Sequence, residues 1–235
     1  QTAWLKAHFP APFMAAVLSS MMDDTDRIAF TVGESKKSGL IVGAPNICQS
    51  EYEFSITDNK TIIYGLGAIK GVGESLVRAV VLERENNGSY SDIFDFCLRI
   101  EKKYLNRRAV EALIYSGAFD VFGVNRTTLI ATYPRAIKQA EQRQNDFSKG
   151  QVSLFSEVES HIEYEKNYIK GGYLPFKKML MLEKSMMGYY LDRHPTDLYT
   201  ADLKSIVCTL PKDIVFRNNR EVRILALISE VNYRQ

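Results

Sequence analysis

Cysteine is scarce in this chain of 235 residues. The three present, Cys48, Cys97 and Cys208, are far apart, odd in number and without CxxC spacing. That excludes a disulfide framework and a cysteine-based zinc site, and it fits a reducing compartment. The three histidines, His8, His161 and His194, are equally scattered, which argues against a histidine-based metal centre. No run of about 18 apolar residues occurs, so nothing reads as membrane-spanning and a cytoplasmic location is expected. The opening "QTAWLKAHFPAPFMAAVL" lacks the basic n-region and continuous h-region of a signal peptide. A dominant charge sign is missing as well: the net charge is +2, so only its distribution can be informative. What is present is ordinary for a globular protein, 46% apolar and 25% charged, which excludes wholesale disorder and leaves room for one or two domains.

Periodicity predicts a mainly α chain with small β elements. Helices are expected over 3–22, as two pieces broken at Pro10 and Pro12, and over 24–37, started at Asp23/Asp24 and closed by Gly39. "GLIVGAPNI" and "YEFSITDNKTIIYGL" shift to β character, with a hairpin around Asp58-Asn59-Lys60. Further helices are expected at about 74–85, ended by Asn86-Asn87-Gly88, at 91–99, at 106–116 with Asn106 as N-cap, and at 126–144. Residues 145–173 read as a polar loop or linker. A Met-rich helix is expected at about 174–191, ended by His194-Pro195, with β signals again from Ile206. Both ends of the chain read as cuts within something larger.

The most specific local signal is "GLGAIKGVGESLVRAVV" at 65–81, where Gly65, Gly67, Gly71 and Gly73 precede a helix-like run. Ile69-Lys70-Gly71-Val72-Gly73 has the apolar–x–Gly–apolar–Gly form of a helix-hairpin-helix turn, and Leu76, Val77, Val80 and Val81 supply a buried helix face. Glycine lets such a turn lie flat against a nucleic-acid backbone. The unpaired N–H groups and positive helix end then face phosphate, a contact that positions without reading sequence. "LIYSGAFDVFGVNRTTLIATY" echoes the pattern and suggests a degenerate second copy. A dinucleotide or P-loop reading fails, because no third glycine falls at the needed offset and no GK[ST] occurs.

Lys102, Lys103, Arg107 and Arg108 cluster before a helix, and 60–143 holds 13 Lys/Arg against 9 Asp/Glu. A basic cluster alone is more often a solvated face; beside Lys70 and the glycine hairpin it favours an anionic partner. Two rivals stand beside a duplex binder. A helix-hairpin-helix glycosylase/lyase needs a nucleophilic Lys just after the hairpin, yet none occurs before Lys102, and Asp92 and Asp95 read as helix-start residues. A protein-interaction module would make no DNA contact. No catalytic residue and no metal-binding set is identified, since the β segments offer no paired carboxylates. One more motif, "GQVSLF", sets Leu154 and Phe155 in a polar stretch, either anchoring the loop or forming a short docking motif.

The order of "TAWLKAHFPAPFMAAVLSS", "APNICQSEYEF", "IIYGLGAIKGVGE", "SDIFDFCLR", "LNRRAVEALIYSGAFD", "GQVSLF" and "MMGYYLDRHP" resembles the alpha subunits of bacterial replicative DNA polymerases, the C-family, over nearly the whole chain. The resemblance implies that 1–50 belong to the outer fingers and 51–145 to a tandem helix-hairpin-helix region that holds double-stranded DNA. It makes 146–173 a linker whose Gln151, Val152, Ser153, Leu154 and Phe155 bind the sliding clamp, 174–200 a connecting helix and 201–235 the start of an OB-fold. Lys70, Gly71, Val72, Gly73, Lys102, Lys103, Arg107 and Arg108 are the expected DNA contacts. The family's catalytic carboxylates, with their Mg2+, lie in a palm domain that nothing here matches. The stretch is therefore expected to be catalytically silent and cofactor-free, with DNA, the clamp and other replicase subunits as partners. Cys48 (usually Asn), Val152 (usually Leu) and Arg193 (usually Gly) depart from the family pattern; none touches the hairpin glycines or the Leu-Phe pair.

Overall fold

Proline and glycine decide where the first helices begin and end. In the computed structural model, which describes residues 1–148, 167–191, 194–199 and 231 and the side chains of all of these but 144–148, α1 (Thr2–His8) stops at Phe9 and α2 (Pro10–Ser19) starts on Pro10. The expected break at Pro12 does not occur. Pro12 sits in the first turn of α2, where backbone N–H groups have no intrahelical acceptor to lose. Asp24 caps α3 (Thr25–Lys37), its Oδ1 accepting from the N–H of Asp26 and Arg27 at 3.1 Å. Gly39, at φ +82°, turns the chain out of α3 into β1 (Ile41–Gly43).

The small sheet has the order β1-β3-β2, with β2 (Ser55–Ile56) antiparallel and β1 parallel to β3 (Thr61–Ile63). The expected hairpin is there: Asp58 Oδ1 accepts from the N–H of Lys60 at 2.7 Å and Thr61 at 2.8 Å. The strands are shorter than the β-rich sequence suggests. Helix α4 (Glu74–Asn87) ends on Gly88 at φ +80°, and Asp92 caps α5 (Ile93–Arg99) through the N–H of Phe94 and Asp95. Asn106 caps α6 (Arg107–Tyr115) through the N–H of Ala109 at 2.8 Å, as expected.

Three features depart from expectation. α7 (Arg126–Ser148) runs further than the periodicity indicates and carries Pro134 within it. The end of the expected linker is packed: Ile169 donates its N–H to Thr132 Oγ1 at 3.0 Å, and Gly171 to Thr128 Oγ1 at 3.2 Å, which lays this segment along α7. α8 (Phe176–Met187) is shorter than 174–191 because Gly188, at φ +84°, stops it before His194-Pro195 is reached. A side chain at Gly188 would also collide with the Thr25 carbonyl.

The core includes Leu18, Ile28, Ile62, Tyr64, Leu66, Ile93, Phe96, Leu113 and Phe119, all fully enclosed. Each of the aliphatic and phenylalanine side chains among them contributes roughly 1.5–3 kcal/mol by leaving water. Phe96 packs edge-on against both Tyr90 and Phe119 at 5.3 and 5.0 Å, which ties α5 to the chain following α6. The chain divides into two compact units, Gln1–Tyr189 and Tyr190–Gln235. In the second, a 3₁₀ turn at Pro195–Tyr199 follows His194, whose N–H donates to Asp197 Oδ2 at 2.7 Å. The expected OB-fold start lies outside the described residues but for residue 231.

Candidate nucleic-acid interface

The four glycines after β3 divide into two pairs with different physical reasons. A Cβ on Gly65 would lie 2.6 Å from the Glu53 carbonyl carbon, and one on Gly67 2.5 Å from the Tyr52 ring. Both are glycine because residues 51–54 press against them, with Leu66 N–H donating to Glu51 O at 2.8 Å and Gly67 N–H to Tyr52 O at 3.0 Å. This pair serves packing. Gly71 takes φ +91°, a conformation that penalises any side chain, and Gly73 is the N-cap of α4 with nothing within 4 Å of its missing Cβ. This second pair is exposed.

Between them Val72 is buried, so the turn is pinned from beneath while both glycines face outward. Ahead of the hairpin stands a single 3₁₀ turn, Leu66–Ala68. Lys70 gives its N–H to Met186 O of α8 at 2.9 Å, and Val72 gives its own to Ile69 O at 3.1 Å. Among the described residues, the N–H groups of Gly71, Gly73, Glu74 and Ser75 meet no acceptor, and no side chain caps α4. Asp24, Asp92 and Asn106 cap α3, α5 and α6. The start of α4 thus presents free donors at the positive end of a helix dipole. Glu74 in its first turn is drawn back along the helix by Arg78, Oε1 to Nε at 2.7 Å.

The basic cluster is only partly at this surface. Arg108 is: its Nε would lie 3.5 Å from a Cβ on Gly71, and among the described residues it is an exposed cation with no ion-pair partner. The other three members carry carboxylates. Lys102 pairs with Glu141 at 2.8 Å, Lys103 with Glu101 at 2.7 Å, and Arg107 with Glu111 at 2.6 Å. The Glu111 hydrogen bond and charge raise the Arg107 pKa above its ordinary value. The Glu101 hydrogen bond does the same for Lys103. Such exposed pairs are weak and exchange easily with phosphate. Only Lys70 and Arg108 flank the turn without an ion-pair partner among the described residues.

The sequence echo corresponds in backbone conformation. Gly123 takes φ +67°, Val124 follows, Asn125 stands where Gly73 stands, and α7 begins at Arg126 as α4 begins at Glu74. The second turn differs at its cap. Asn125 Oδ1 accepts from the N–H of Thr127 at 2.9 Å and Thr128 at 3.2 Å, leaving only Val124, Asn125 and Arg126 with free N–H groups among the described residues. Arg126 is nearly enclosed, held by Asp120 at 2.6 Å, by Tyr115 O at 2.9 Å and by Glu183 of α8 at 3.1 Å. Burial alone would lower its pKa; Asp120 and then Glu183 outweigh that and leave it raised. Gly117, at φ +89°, makes room, since a Cβ there would lie 2.5 Å from the Arg126 guanidinium. Gly123, Asn125, Arg126 and Glu183 were not singled out from sequence, although Gly123-Val124 repeats the Gly71-Val72 step of the first hairpin.

Gln151, Val152, Ser153, Leu154 and Phe155 lie outside the described residues. Among the described residues no group of three or more His, Cys, Asp or Glu could hold a metal ion. No helix among them is long and apolar enough to cross a membrane.

The helix-hairpin-helix motif family matches residues 39–129, a range that takes in the small sheet and both hairpins. DNA polymerase III subunit alpha of Pasteurella multocida is 41% identical over 92% of this chain and 19% of its own length. The subunit of Xylella fastidiosa strain Temecula1 is 43% identical over 88% of the chain and 17% of its own length. That of Buchnera aphidicola is 35% identical over 100% of the chain and 20% of its own length. The chain therefore spans about a fifth of the relatives it matches. With an exposed pair of helix-hairpin-helix turns and this identity sustained along nearly all its residues, the chain belongs to the DNA polymerase III alpha-subunit family.

Proposed function

We propose that this chain holds double-stranded DNA through backbone contacts at its two hairpins and tethers the polymerase to a sliding clamp through Gln151–Phe155. The observation that carries the first half is the start of α4, where among the described residues the N–H groups of Gly71, Gly73, Glu74 and Ser75 meet no acceptor, no side chain caps the helix, and Arg108 beside Gly71 has no ion-pair partner. Phosphate oxygens satisfy such donors, and phosphate contacts hold a duplex in register without selecting a sequence. The second half rests on the motif itself. Gln151 offers a donor and an acceptor, while Leu154 and Phe155 can fill an apolar pocket for roughly 3–6 kcal/mol before ordering costs. In this reading nucleotidyl transfer, and the Mg2+ it uses, belong to other parts of the longer polymerase. The protein works in the cytoplasm with the remaining replicase subunits.

A glycosylase/lyase reading has no lysine close behind the first hairpin to support it. The deciding experiment is a duplex titration at two salt concentrations, with and without clamp. Affinity should fall steeply with salt through counterion release, to a similar degree for unrelated sequences, and rise when clamp is present. Salt-indifferent binding refutes duplex holding. An affinity that clamp leaves unchanged refutes the tether.

A further inference from the structure

We propose that α8 is a cross-brace that fixes the two hairpins in one register, and that Glu183 is its positioning residue; the inference rests on the duplex-holding reading above. The two turns are far apart in sequence, and α8 touches both within a single turn of helix. Met186 O, one of the last carbonyls of α8 and so without an intrahelical donor, accepts the N–H of Lys70 at 2.9 Å, directly ahead of Gly71. Three residues earlier, Glu183 Oε2 pairs with Arg126 Nη1 at 3.1 Å, directly after Asn125. Arg126 is also bound to Asp120 and to Tyr115 O, so the Glu183 contact reaches both sides of the second turn. Gly188 then stops α8 against Thr25, and this close approach sets how far the helix extends.

The choice of chemistry supports a positioning role. Glu183 and Arg126 are almost fully enclosed, and a buried ion pair contributes no more stability than well-packed apolar residues would. Its directional geometry defines one arrangement, which apolar packing does less well. Two phosphate-binding turns held at a fixed spacing act on one duplex as a linked pair, so the second contact forms at high effective concentration. Two turns free to shift against each other lose that gain.

The test uses the full chain and two readouts. Spin labels on genetically encoded keto residues at Ser75 and Val121, both exposed beside their hairpins, report the hairpin-to-hairpin distance. Blunt duplexes of graded length report when both hairpins engage. Wild type should show one narrow distance distribution and a rise in affinity once the duplex spans both turns. Glu183→Ala should broaden the distribution and lose roughly tenfold in affinity on the long duplex, with the short-duplex affinity unchanged. Glu183→Gln keeps a hydrogen bond to Arg126 and should fall between the two; it carries the comparison if the alanine variant does not fold. A narrow distribution in the substituted chain, or equal losses on short and long duplexes, overturns the brace. Wild type that binds neither duplex refutes the DNA-holding reading instead, and the distance measurement still decides the brace.

Discussion

Replacing Gly73 by Asn should make the protein slightly more stable and a markedly poorer duplex binder. Gly73 occupies the N-cap of α4 at φ −87° and ψ 150°, a conformation open to any residue, with empty space where a Cβ would go. Asn is therefore accommodated without strain, and its side chain can take the N–H groups of Ser75 and Leu76 as Asn125 takes those of Thr127 and Thr128. Exchanging Gly for Asn at an N-cap gains only a few tenths of a kcal/mol. For a chain of this size that moves the melting temperature by about 1 °C or less. The effect on binding is larger, because the amide would occupy donors that phosphate needs. A charge-assisted hydrogen bond is worth about 1.5–3 kcal/mol, so affinity should fall roughly 10- to 100-fold. Circular-dichroism melting and fluorescence anisotropy with a labelled duplex, on one preparation, read both effects. A stabilised variant that binds duplex as wild type does would show that no phosphate sits at the start of α4. That outcome would refute the reasoning.

Arg108→Ala should flatten the dependence of log affinity on log salt by about one unit, and Arg107→Ala by less, because Arg107 is already paired with Glu111; equal slopes for both variants and wild type would return the cluster to a solvated surface. Leu154→Ala combined with Phe155→Ala should abolish clamp capture in a surface-binding assay and leave duplex affinity intact, and retained capture would assign the pair to the loop's own packing. Gly117→Ala sets a side chain at φ +89° against the Arg126 guanidinium and should cost about 1–3 kcal/mol in urea unfolding; a neutral result would mean that the Arg126 network shifts without cost.

The parts of the fold set by neighbours in sequence were legible in it. Asp24, Asn106, Gly39, Gly88 and the Asp58 turn act where they were expected, because a cap or a tight turn needs only residues within a few positions. The helix end at Gly188 was missed for a related reason: its second requirement is Thr25, far away in sequence. The glycine run shows the same limit. Gly65 and Gly67 answer to Tyr52 and Glu53 across the fold, while Gly71 and Gly73 answer to the turn itself, and composition cannot separate the pairs. The basic cluster was legible as charge but not as available charge, since the Glu141 that partners Lys102 comes from α7. The second hairpin was visible as an echo; its cap and its tie to α8 needed the structure.

The bond from Lys70 to Met186 also bears on the order in which a ribosome can deliver this surface. Most of what the second hairpin needs is nearby: Asp120, Asn125, Thr127 and Thr128 emerge almost together, and contacts of short sequence separation close quickly. The first hairpin emerges earlier yet waits longer, because its last tie is a carbonyl at the far end of α8. During synthesis the local cap of the later turn thus forms first, while the ties to α8, Glu183 for the later turn and Met186 for the earlier, come last and almost together. Nucleic acid met during translation would find one hairpin already capped and neither yet fixed by α8.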